Sequence, residues 1–294
     1  MTRLHRAVGI ALLLLLTLAC EVSVPIPTTQ PLTVIDPVTT RETFALEGAT
    51  RARVRLRMLS GELTVSPADV GQPTWAEFSY NVQEWEPSIT QSVTARAGSL
   101  TINQGIGSQI TLGGDYLNVW SIGLVQGLPL DLGLDLGAGI AEVELGGVSL
   151  SDFSLTVGSA DATLSFAWPN PEPLGTLRVT AGAGDMTLTG LGNANMDRLT
   201  FTGGAGSVEL DFGGEWTRSA VADIRAGVGR VTVRVPASLG VRVNFTGTPV
   251  STVDTQGFEA QGENTYVNAA YGASPLTLTL NVTSGIGLIR LISQ

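Results

Sequence analysis

The sequence contains no lysine. Its 294 residues hold one histidine, His5, and one cysteine, Cys20, both among the first twenty positions. These absences exclude much chemistry. Without His, Cys or Lys in the body of the chain, no Ser–His, Cys–His or Ser–Lys pair can activate a nucleophile. A zinc site would lack both imidazole and thiolate. A Walker loop needs the missing lysine, and no Gly-x-Ser-x-Gly elbow occurs. Charged residues are only 14% and aromatics 6% of the chain. After residue 20 there is no sustained 3.6-residue period and no apolar run long enough for a helix to span a membrane. Cations are scarce as well. The net charge is −10, and loss of the first twenty residues removes Arg3 and Arg6 but no acid, leaving −12. That balance argues against nucleic acid as a partner and against electrostatic docking on anionic lipid. Glycine, by contrast, is abundant, with 36 residues.

The N-terminus, MTRLHRAVGIALLLLLTLAC, has the layout of an export signal: two arginines, a short apolar core and a small residue before Cys20. It resembles a bacterial lipoprotein signal over residues 1–20, although the position three before Cys20 is Thr17 and not leucine. The resemblance implies lipidation of Cys20 and attachment to the outer face of a membrane through acyl chains. Residues 21–47 are rich in Pro and Thr and read as an extended tether, whose alternative is an N-terminal strand.

Beyond the tether the chain repeats. Aligning on one glycine gives six frames, at Gly137, Gly158, Gly182, Gly204, Gly227 and Gly285, spaced by 21, 24, 22, 23 and 58 residues. In five of them a second glycine follows two residues later: Gly139, Gly184, Gly206, Gly229 and Gly287. Apolar residues alternate with polar ones on both sides, as in Leu134/Leu136 before the glycines and Ala141/Val143/Leu145 after them. Period-two alternation predicts strands with one buried face. The glycines between them read as structural turns, suited to φ > 0. A repeat of about 22 residues built this way predicts an all-β, β-solenoid-like stack of short strands with Gly-rich corners. Residues 131–294 carry the regular frames. Residues 48–130 carry weaker ones, at Gly61 and at Gly105/Gly107, separated by an aromatic stretch, Pro67–Ser88, expected to cap the stack. Asp254–Pro275 reads as a polar insertion.

The GAG-type turns, VPASLGVRVNFTG (Val235–Gly247) and the ending TQGFEAQGENTYVNAAYGASPLTLTLNVTSGIGLIRLI resemble the toast-rack family of bacterial envelope proteins over Ala52–Ile292. That family is similar to the C-terminal domain of LiaF-type envelope-stress proteins and to adhesin-like β-solenoid domains. The resemblance implies a solenoid outside the cytoplasm with adhesin-like, scaffolding or sensory roles, and supplies no catalytic residues.

Few motifs carry chemistry. Gly182-Ala-Gly184-Asp-Met-Thr187 lacks the third glycine of a dinucleotide loop, and a strand follows where a helix is needed. Asp131 and Asp135 face outward on one strand, about 13 Å apart by strand rise, too far for a glycosidase pair. Asp161 and Asp185 hold the same position in successive frames, so stacking brings them together as a possible calcium site, the alternative being that both point to water. Trp168 and Trp216 follow second strands and either stack on sugars or seal the core. These features favour a non-enzymatic, lipid-anchored envelope module that binds an envelope protein or a glycan, with no cofactor other than possible Ca²⁺. A stress-sensing subunit acting with a membrane partner and a carboxylate-only glycan-acting enzyme are the alternatives.

Overall fold

The computed structural model describes residues 32–105 and 116–294. The signal, Cys20 and the second half of the Gly105/Gly107 frame lie outside the described residues. The strands are β1 (Val34–Phe44), β2 (Arg51–Pro67), β3 (Thr74–Val82), β4 (Ser88–Thr94), β5 (Ala97–Asn103) and β6 (Asn118–Leu124). They continue as β7 (Leu130–Glu144), β8 (Leu150–Ser165), β9 (Leu174–Ala183), β10 (Met186–Thr189), β11 (Met196–Asp211) and β12 (Ala220–Val235). The last are β13 (Gly240–Gly247), β14 (Ser251–Gln256), β15 (Phe258–Ala260), β16 (Thr265–Asn268) and β17 (Thr277–Ser293). The helical elements among the described residues are two single 3₁₀ turns.

Each repeat is one rung with two legs, and the legs meet at the glycine corner. β7 shows why. Leu132, Leu134 and Leu136 are buried before the corner; Ala141, Val143 and Leu145 are buried after it. An uninterrupted strand would bury 138 and 140 instead. The corner therefore inserts one residue, as a bulge does, and turns the second leg so that both legs face one core. Rungs stack in parallel register, with Leu134 beside Leu155 and Val143 beside Leu164. Phe153, Leu155, Leu164 and Phe166 are at most 1% exposed, and each such side chain contributes about 1.5–3 kcal/mol of burial.

The order of stacking differs from the order of the chain. The rungs run β5/β6, β2, β7, β8, β9/β10, β11, β12, β17 and β13/β14. The 58-residue step thus encloses the last rung and its cap, and the chain then returns so that β17 fills the gap beside β12. Asp254–Pro275 is not an insertion loop: it holds the end of β14, β15 and β16, and β15–β16 pair antiparallel on β13. At the other end β4 pairs antiparallel with β5, β3 with β6 and β1 with β3. The stretch Pro67–Ser88 does supply a capping strand.

Two boundaries expected from sequence need correction. Val34–Phe44, placed in the tether with a strand as the alternative, is a strand: it pairs antiparallel with β3 over Thr74–Val82, which supplies its backbone partners. Residue 130 is not a boundary in the fold, since β2 stacks directly on β7 from Ala52 to Val65.

Candidate binding surface

The corners come first, because the frame glycines converge there. The second glycine has the left-handed backbone that favours glycine, with φ of +125° at Gly184 and +137° at Gly206. The first glycine does not: Gly137, Gly158, Gly182, Gly204, Gly227 and Gly285 have no positive φ. Its requirement is space. A Cβ on Gly182 would meet the carbonyl oxygen of Gly158 at 2.4 Å, and one on Gly204 would meet that of Gly182 at 2.1 Å. The expectation that both glycines serve conformation is therefore right for the second set only.

Stacking does bring Asp161 and Asp185 onto adjacent rungs. The Asp185 N–H donates to Asp161 Oδ1 at 2.8 Å, and the Ser207 N–H donates to Asp185 Oδ1 at 2.9 Å. Each carboxylate thus clasps the corner of the next rung and satisfies a backbone donor. Neither of the two expected alternatives, calcium or water alone, includes this role. Among the described residues, no group of three or more His, Cys, Asp or Glu side chains is arranged to hold a metal ion. Calcium binding rests on these two carboxylates alone.

The outward faces of the legs carry ladders of charge. Asp131 accepts from Arg53 at 2.8 Å and from Arg55 at 2.7 Å, and Arg57 reaches Asp135 at 3.3 Å. Gly133 leaves room for this: a Cβ there would lie 2.7 Å from Arg55 Cδ. Partial burial by itself would raise the Asp131 carboxyl, but the hydrogen bonds and charges of Arg53 and Arg55 together outweigh it and hold the group below the usual carboxylate range. Asp131 and Asp135 face outward as expected, paired with arginines of the neighbouring rung.

On the outer face of the second legs, four rungs form a polar groove of about 390 Å³. Its acidic side is Asp185 and Glu209; its basic side is Arg230, Arg234 and Arg290. Thr187, Ser207 and Thr232 add hydroxyls between them. Arg234 is held by Glu209 at 2.7 Å and Arg290 by Asp254 at 3.0 Å. Arg230 is exposed and has no partner among the described residues. Side chains on one strand recur every two residues and neighbouring strands lie about 4.8 Å apart. The groove therefore offers hydroxyls and guanidinium forks at regular intervals across the stack.

The arrangement of strands and corners has known counterparts. Residues 35–172 and 169–234 match the family described as the N-terminal domain of toast_rack, DUF2154. The chain belongs to the toast-rack family. A solved structure of a proposed cell adhesion protein from Clostridium sporogenes shares 24% identity and aligns with a TM-score of 0.50, covering 88% of this chain and all of that one. A proposed adhesin from Bacteroides fragilis is 10% identical with a TM-score of 0.39, over 87% and 96% of the two chains. A proposed lipid binding protein from Parabacteroides distasonis is 10% identical with a TM-score of 0.37, over 86% and 96%. No curated protein matches the sequence.

Other features of this toast-rack chain lie away from the groove. The two tryptophans diverge. Trp168 is 71% exposed, whereas Trp216 stacks on Phe212 at 6.3 Å and donates its indole N–H to the Phe212 carbonyl. Only the second fits the reading of a sealed core. A mainly apolar cavity of about 420 Å³ opens at the β1–β3 end, with Glu47, Gln72 and Thr74 as its polar lining. Thr74 Oγ1 already accepts the Val125 N–H.

Residues that sequence reasoning passed over hold the returns between rungs. Asn170 accepts the Leu150 N–H and donates to the Leu150 and Ala194 carbonyls. Asn193 donates to Phe166 and accepts from Glu215, and Asn268 accepts from Val241 and donates to Leu239. Their signal was asparagine among small and apolar residues in AWPNPEP, LGNANM and YVNAAYG, where an unpaired buried amide would be costly.

Proposed function

We propose that this toast-rack protein is an exported, adhesin-like binding module without catalytic activity, held at the cell envelope by lipid on Cys20. The observation that supports it most is the second-leg groove, where Arg230, without a partner among the described residues, stands among hydroxyls and beside two restrained arginines. Such a surface suits an extended, hydroxyl-rich polymer bearing carboxylates, an acidic glycan of the envelope. Guanidinium groups take carboxylates in a fork, while serine and threonine exchange hydrogen bonds with sugar hydroxyls. The carboxylates do not suit hydrolysis: Glu209 is tied to Arg234 and Asp185 to a corner amide.

Calorimetry of the full-length chain with polygalacturonate, against neutral dextran, tests the groove. Binding of the acidic polymer alone is expected, weakening with salt and by about tenfold in Arg230→Ala. Equal binding of dextran, or an unchanged Arg230→Ala, removes the assignment. For the anchor, Cys20→Ser is expected to leave the membrane fraction; retention there overturns it.

A further inference from the structure

The stack ends in four strands that have one unpaired side among the described residues: β1 and β4 at one end, β14 and β15 at the other. An open edge recruits other strands unless something blunts it. β1 contains Pro37 and the charges Asp36, Arg41 and Glu42. β14 carries Asp254, and β15 is three residues long with Glu259. β4 reads SITQSVT, with no charge, proline or glycine, and all its residues except Ile89 are exposed.

Its sequence also has a symmetry. Reversed about Gln91, Ser88 meets Thr94, Ile89 meets Val93 and Thr90 meets Ser92. We infer that β4 pairs antiparallel with β4 of a second copy of this chain, about a two-fold axis at Gln91. In that register each apolar residue faces an apolar one, each hydroxyl faces a hydroxyl, and no charge is buried. Ile89–Val93 contacts form twice and give Val93, 41% exposed in the single chain, an apolar neighbour. The pairing extends the first-leg sheet from one copy into the other and closes on itself, as a two-fold interface must. Pairing β4 with any of the other open strands would be head-to-tail and would set Pro37 or a charge against it. Seven residues make a small interface, so the dimer is a weak one. This inference concerns the first legs and does not rest on the groove or its ligand.

Charge exchange across the two-fold axis tests the register. Thr90 and Ser92 are exposed and face each other between copies, so neither substitution disturbs the core. Sedimentation equilibrium of the full-length chain in density-matched detergent is expected to show a monomer–dimer equilibrium. The double variant Thr90→Lys/Ser92→Lys places like charges opposite each other twice and should weaken it about tenfold. Thr90→Lys/Ser92→Glu makes two opposite-charge pairs in this register and should restore it. Melting curves establish that all three forms are folded. A monomeric wild-type chain, or two variants that behave alike, overturns the proposal.

Discussion

Leu59 and Gly204 stand at the same place in their frames, the first corner position, yet one is a partly exposed leucine and the other must be glycine. Beneath Gly204 lies the next corner, whose carbonyl would sit 2.1 Å from a Cβ. Beneath Leu59, β2 pairs with β5 as far as Arg57–Asn103 and with β6 from Glu62–Val119 onward. There side chains replace the stack. Gln104 Oε1 accepts the Leu59 and Ser60 N–H groups, and Asn118 Nδ2 donates to the Ser60 carbonyl. Gly61 keeps a φ of +144° all the same. The comparison separates two demands that the repeated Gly-x-Gly merges. The first glycine answers to stacking alone; the second answers to the bend and, as at Gly206, to the stacked carbonyl as well.

The largest expected effect breaks that contrast in the middle of the stack. Gly206→Val combines a φ of +137° with a carbonyl 2.0 Å from the new Cβ, and should cost at least about 4 kcal/mol. Gly204→Ala, at ordinary φ, should cost about 2–4 kcal/mol from the clash alone. Leu59→Ala should stay within about 1 kcal/mol. Urea denaturation ranks the three. A Gly204→Ala as mild as Leu59→Ala would show that the stacked carbonyl is not what requires glycine.

An intermediate effect lies in the charge ladder where β2 stacks on β7. Asp131→Ala leaves Arg53 and Arg55 without their carboxylate and should cost about 1.5–3 kcal/mol. The sign of its pH dependence follows from the lowered carboxyl. The stabilisation is present above the unfolded value of about 3.9 and is lost as pH falls through the lower folded value. In acid, therefore, Asp131→Asn should lose less stability than wild type does. Parallel acid titrations of the two forms by circular dichroism would assign the effect to other carboxylates.

Much of this was legible in the sequence, for a physical reason. Period-two burial and corner glycines are local, and register follows once frames are aligned, so Asp161 beside Asp185 could be read directly. The stacking order was not legible. Nothing local tells β13 that β17 will come between it and β12, because each rung presents a similar apolar ladder to either neighbour. The groove was half legible. Arg230, Thr232 and Arg234 alternate outward in plain view, but Arg290 completes it only because β17 returns beside β12. The β1 strand was obscured by Pro37 and by charges, the very features that suit an edge.

The smallest effect sharpens the contrast at the corners. The carboxylate clasp runs from Asp161 to the Asp185 amide and from Asp185 to the Ser207 amide, then stops. Ser207 lies in register with Arg230 on the next rung, one carboxyl carbon and one oxygen short of repeating the clasp. If the carboxylates serve the bend, then Ser207→Asp should extend the ladder to the Arg230 amide and add up to about 1 kcal/mol. Asp185→Ala should remove a similar amount. Both shifts should be the same in EDTA and in added calcium, because the partner is a backbone amide. A Ser207→Asp variant stabilised only when calcium is present would make the same row of acids a cation site.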